Sequence, residues 1–152
     1  MIALCTMYLI GSIGYRFIEI LWRGHTHWTM GIVGGICMVC IYSIEQKLKK
    51  CRLAVRALFS CLCITAIEFI SGLFINKVFR MNVWNYSSIP LNLMGQVCLL
   101  YSAFWYLLCI PAHLLCKIIK QHVFALLPRR SAMPKFLKGC LQKGVKKNEL
   151  SE

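Results

Sequence analysis

No aspartate occurs anywhere in the 152 residues, and only five acidic side chains are present: Glu19, Glu45, Glu68, Glu149 and Glu152. Charged residues of both signs make up 15% of the chain, too few for the solvated surface of a soluble enzyme. The sequence lacks the phosphate-cradling G-x-x-x-x-G-K-[ST], the zinc-protease H-E-x-x-H and the nucleophile elbow G-x-S-x-G. It therefore encodes neither ATP hydrolysis nor a familiar hydrolytic site. The expectation is a chain that is no enzyme, with no catalytic residue, no cofactor and no metal. Internal repeats and low-complexity runs are missing as well.

What the chain has in abundance is apolar length. Apolar residues fill 59% of positions and the mean hydropathy is +0.64, which places it among membrane proteins. Crossing the hydrocarbon core takes about 20 apolar residues, and four segments come near that length: 2–22, 28–44, 53–75 and 94–116. The second is the shortest. The first resembles a signal peptide in position but has no basic leader or cleavage site, and it carries Arg16 and Glu19, so it reads as a retained helix. Ten cysteines would imply a disulfide scaffold in a small secreted protein. Here eight of them, Cys37 and Cys40 of the C-x-x-C included, lie within apolar runs, where a thiol behaves as a small hydrophobe. The fold class expected is all-α: a polytopic membrane protein with a four-helix domain over 1–120 and a basic amphipathic tail over 121–152.

Orientation follows from the cations. Thirteen Lys and Arg lie in the link after the second span and from Lys117 onward, against three, Arg23, Lys77 and Arg80, in the other two links. Four crossings put both basic regions on one side, so the positive-inside rule predicts N-terminus in and C-terminus in across a bacterial cytoplasmic membrane. Trp22 and Trp28 then mark the outer interface. In the tail, Phe136, Leu137, Cys140, Leu141 and Val145 recur on one face against Lys135, Lys138, Lys143, Lys146 and Lys147. This is the pattern of an interfacial helix on anionic lipid. No aromatic platform accompanies the lysines, which argues against nucleic acid as a partner.

Ionisable groups inside a span ask for a partner or a wet cavity. With a rise of about 1.5 Å per residue, Arg16 and Glu68 lie at a similar depth, about 9–10 Å below the outer ends of their helices. Glu19 lies three residues beyond Arg16, and Gln96 enters at the outer end of the fourth span. Arg16, Glu19, Glu68 and Gln96 thus form a candidate intramembrane polar cluster, open to two readings. Either Arg16 pairs with Glu68 or Glu19 and fixes helix register, or the excess carboxylate binds a cation, a proton or a substrate ammonium. Gly31 and Gly35, with Gly72 in the third span, mark candidate close helix contacts within the chain or in a homo-oligomer. Pro111 is expected to kink the fourth span. His25 and His27 flank the outer interface, more suited to hydrogen bonding than to metal ligation. The long link over 76–93, rich in Trp84, Asn85, Tyr86 and Asn92, is a candidate functional loop and lid.

Three runs carry a family likeness: Arg23-Gly24-His25-Thr26-His27-Trp28-Thr29-Met30 with Gly34-Gly35, then Thr65 to Gly72, then Trp84-Asn85-Tyr86-Ser87 with Pro90 to Cys98. Over roughly residues 8–118 the chain resembles the CmpB-like family of small bacterial membrane proteins described as ABC transporter permeases. The resemblance implies a permease-like subunit for an unknown solute that depends on a separate ATPase chain. The family usually shows Asp between the loop Trp and Tyr, where this chain has Asn85, which weakens cation binding by the loop. The alternatives are a non-transporting membrane scaffold or regulatory protein and a holin-like pore-former.

Overall fold

A computed structural model of the chain describes residues 2–122, and the tail helix expected on anionic lipid lies outside the described residues. Four long helices appear: α1 (Ile2–Arg23), α2 (Trp28–Lys47), α3 (Leu53–Gly72) and α4 (Leu99–His122). All four are long and apolar enough to cross a membrane. Together they make an all-α, multi-pass membrane protein. The chain divides into two units, Met1–Lys117 and Ile118–Glu152, and the packing and sites below belong to the first.

The helix ends have local causes. Gly24 follows α1 with φ +74° and its N–H returns to the carbonyl of Ile20, an αL cap that other L-residues adopt only under strain. His27 caps α2, its Nδ1 taking the Thr29 N–H and meeting the Thr29 hydroxyl at 2.8 Å. That use of His27 is hydrogen bonding at a helix start. α3 does not stop cleanly at Gly72 but loosens into a π-helical segment, Leu73–Val78. Such segments often accompany functional sites because they redirect one side chain, and here that side chain is the buried Asn76.

The fourth span begins later than its apolar run suggests. Residues 94–98 are apolar enough to continue a helix, yet β1 (Asn92–Leu93) and β2 (Val97–Cys98) pair as a small antiparallel hairpin, with Leu93 opposite Val97. Met94 and Gly95 have positive φ at its tip, a conformation that ends any helix. Pro111 lies inside α4, which continues without interruption on both sides.

The core surrounds α2. Thr29, Met30, Gly31, Val33, Gly34, Gly35, Cys37, Met38, Ile41 and Glu45 are buried on it, whereas only Met7 and Glu19 are buried on α1. Glycine lets α1 approach closely: a Cβ on Gly34 would stand 2.5 Å from Tyr15 Cβ, and one on Gly35 would stand 2.5 Å from the Tyr8 ring. Gly31 lies under Ser12 and the Arg16 stem. Gly72 meets not another helix but Gln96 and Trp84 of the loop. The exposed Leu, Ile and Phe side chains on α1, α3 and α4 are what a lipid-facing surface consists of, since lipid offers apolar contacts in place of water.

Candidate functional site

At the α1–α2 end of the bundle, Glu19 is buried in the last turn of α1. It pairs with Arg23 one turn on, Nη1 to Oε1 3.0 Å, and accepts the Thr26 hydroxyl on its other oxygen. Arg23 also donates to the carbonyl of Val83 at 3.0 Å. One carboxylate therefore ties the helix end, the α1–α2 link and the long loop together.

Arg16 does not join this group. It is exposed, its alkyl stem lies over Gly31, and it forms no ion pair among the described residues. A separation of three leaves Arg16 and Glu19 on adjoining strips of α1 rather than on one line, and only the Glu19 strip faces the loop. The expected Arg16–Glu68 pair is likewise replaced. Glu68, buried on α3, accepts the Trp105 indole N–H at 2.7 Å on one oxygen and the Tyr86 hydroxyl at 3.2 Å on the other. Neutral donors stand where a cation was expected.

Gln96 also has other partners. Its side-chain oxygen accepts from Asn76 Nδ2 at 2.9 Å, its amide donates to the Met94 carbonyl, and its backbone carbonyl accepts the Trp84 indole N–H at 3.0 Å. Asn76 further donates to the Trp84 carbonyl and accepts the Val83 N–H at 2.7 Å. A buried amide that satisfies three loop groups is the fastening of the whole segment. Asn85 and Asn92 act locally, Asn85 accepting from Ser87 and Asn92 bridging the Ile89 carbonyl and the Gly95 N–H. Tyr86 stacks on Tyr101 of α4 with centroids 4.6 Å apart. Burial pushes its phenol well above the ordinary range, and the neighbouring Glu68 charge adds to that.

Between α1 and α4, under the loop, is a cavity of about 690 Å³, within the size range of small-molecule sites. Its walls include Tyr15, Trp22, Tyr86, Tyr101, Phe104 and Trp105, together with Glu19 and Arg23. Tyr15 and Trp105 approach to 5.5 Å, and Trp22 and Phe104 to 6.2 Å, between ring centroids. Tyr86 and Trp105 are at once cavity wall and Glu68 donors, so the carboxylate lies directly behind the aromatic lining.

A second cluster, not singled out from the sequence, occupies the α2–α3 end. Glu45 accepts from Arg56 Nη1 and meets His113 Nδ1 at 2.9 Å, and His113 Nε2 meets the Ser60 hydroxyl at 2.9 Å. The order hydroxyl, imidazole, carboxylate is that of a nucleophilic triad. Ser60 is 0% exposed and His113 1%, and the group links α2, α3 and α4 from within the bundle. The available signal was the presence of His113 inside a span. Glu45 carries no intramembrane signal in the sequence, because the apolar run ends at Ile44 whereas the helix continues to Lys47.

These features define a small multi-pass membrane protein with a ligand-sized aromatic cleft lined in part by a fastened loop. The chain belongs to the family described as "Putative ABC-transporter type IV", whose model matches residues 5–138. No curated protein and no solved structure matches it.

Proposed function

We propose that the protein is a permease-like membrane subunit of a transport system, not itself an enzyme, which holds its solute in the α1–α4 cleft and is energised by a separate ATPase chain. The observation that carries this reading is the aromatic cavity beneath the 79–98 loop, with a buried carboxylate behind its wall. Family membership supports a transport role. The thirteen-to-three distribution of cations supports a bacterial cytoplasmic membrane with both termini inside. An exposed Arg16 in an apolar span supports assembly with a second copy or a partner chain, because lipid offers a guanidinium no counter-charge. The lysines of the tail suit anionic lipid as its partner, and no nucleic acid enters this reading.

The test uses membrane vesicles that contain or lack the full chain, with uptake of a labelled solute panel measured with and without ATP. Leu108→Trp fills the cleft from one wall. The expected result is ATP-dependent uptake that requires the chain and is lost in Leu108→Trp at unchanged thermal stability. Equal uptake with and without the chain across the panel would overturn the transport role and favour a scaffold.

A further inference from the structure

We propose that the cleft between α1 and α4 binds an amphiphilic organic cation, an ammonium-type head on an apolar body. The inference rests on the permease reading for its role in transport, but the chemistry of the site stands on three separate observations.

The first is the balance of charge. Glu19 and Arg23 in the cavity lining neutralise one another. Glu68 behind the wall has no ion-pair partner among the described residues. A buried carboxyl group with no counter-ion is costly to ionise on its own, and a bound cation supplies the missing counter-charge. A bound anion would oppose its ionisation further.

The second is the character of the wall. Tyr, Trp and Phe faces attract cations through the ring quadrupole, Trp most strongly. Tyr86 and Trp105 each donate their polar hydrogen to Glu68. Donation to a carboxylate shifts electron density back into the ring, so the two rings nearest Glu68 become better cation hosts than free side chains. The carboxylate thus acts through the rings, and its oxygens need not touch the ligand.

The third is the route and the shape. Leu21 and Leu107 line the cavity and are exposed on the outer faces of spanning helices, so the cleft opens toward the acyl chains and admits an apolar body sideways. Pro111, also in the lining, has no N–H. The Leu107 carbonyl four residues earlier therefore receives no N–H from position 111. Each observation points to the same ligand class: positive at one end, apolar at the other.

The ammonium head could belong to a dissolved solute or to a lipid headgroup, and the experiment separates them. Tryptophan fluorescence of the purified full chain is titrated with benzyltrimethylammonium, its neutral carbon isostere neopentylbenzene, and the anion phenylmethanesulfonate. The cation should quench saturably and bind about ten-fold or more tighter than either analogue. Glu68→Gln should remove most of that preference while leaving the neutral analogue unchanged. Tyr101→Leu, which removes a wall ring that forms no hydrogen bond to Glu68, provides a second variant and should weaken cation binding about ten-fold. Repeating the titration in nanodiscs of phosphatidylglycerol with and without phosphatidylcholine identifies the source. Competition by phosphatidylcholine assigns the site to a headgroup, no competition assigns it to a dissolved solute, and both support a cation site. Binding of the neutral or anionic analogue as tight as the cation overturns the proposal, as does wild-type binding of none of the three. If the vesicle assay still shows uptake in either case, the permease reading survives alone. If uptake is absent too, both readings fall.

Discussion

Substituting Glu45 by Gln tests whether the polar tie at the α2–α3 end holds the bundle. The replacement keeps volume and one acceptor oxygen and removes the charge shared by Arg56 and His113. Removing one member of a buried ion pair costs about 3–5 kcal/mol, most of it the penalty of stranding the other charge. The Arg56 side chain keeps 17% of its exposure, so its guanidinium has a short way to the interface, and the expected loss falls to about 2–3 kcal/mol. Arg56→Met should cost less, since Glu45 keeps His113. The double change Glu45→Gln with Arg56→Met should recover part of the loss, because no guanidinium is then stranded without its counter-charge. Denaturation in mild detergent of the four proteins in this cycle should yield a coupling of at least about 1.5 kcal/mol. A parallel cycle of Arg16→Met and Glu68→Gln should yield a coupling within about 0.5 kcal/mol of zero, because the two side chains do not meet. Additive losses at Glu45 and Arg56, or a coupling above about 1 kcal/mol at Arg16 and Glu68, would refute the assignment of partners.

Further outcomes follow from other contacts. Gly11→Ala should destabilise by about 1–3 kcal/mol, because its Cβ would lie 2.6 Å from the Gly34 carbonyl oxygen, which cannot rotate away. Gly14→Ala, with nothing within 4 Å of its Cβ, should be neutral or stabilise by up to about 1 kcal/mol; equal effects at the two sites in a thermal melt would exclude the close α1–α2 contact. The Tyr86 ionisation is raised above its ordinary value of 10.0, so the folded state holds the phenol proton more tightly than the unfolded state. Stability from this group is complete below pH about 10 and falls as pH rises beyond it. Phenolate absorbance from Tyr86, isolated by difference from Tyr86→Phe, should appear together with unfolding; its appearance in the folded protein near pH 10 would contradict the burial. On a cysteine-free background, a membrane-impermeant thiol reagent applied to intact cells should label Ser88→Cys and spare Lys49→Cys. The reverse pattern would invert the orientation.

Much of the candidate site was legible one residue at a time, and little of it pairwise. Glu68 stands out in the sequence because a carboxylate amid Ile67, Phe69 and Ile70 has no cheap solution in lipid. The loop stands out because Trp84, Asn85, Tyr86 and Asn92 crowd a stretch between apolar runs. Which partner each group finds depends on rotations of tens of degrees about separate helix axes, which residue spacing along one helix does not define. Arg16 and Glu68 are level in depth and still do not meet, since depth is one coordinate and azimuth another. Asn76 has no facing that residue spacing predicts, because a π-helical segment shifts the helical phase there.

The sequence by itself determined the class of protein. Backbone groups in lipid must satisfy their hydrogen bonds internally, so four apolar runs near 20 residues admit only four helices, and local chemistry such as Gly24 and His27 sets where they end. Tertiary structure decided the start of α4, because the hairpin over 92–98 exchanges helical hydrogen bonds for loop fastening by Asn76, Gln96 and Trp84. It also decided that α2 is central, that Glu45, Arg56, Ser60 and His113 converge from three helices, and that sixteen residues from α1, α4 and the loop line one aromatic cleft. A cavity is the space between elements, and no single segment of the chain contains the distances that define it.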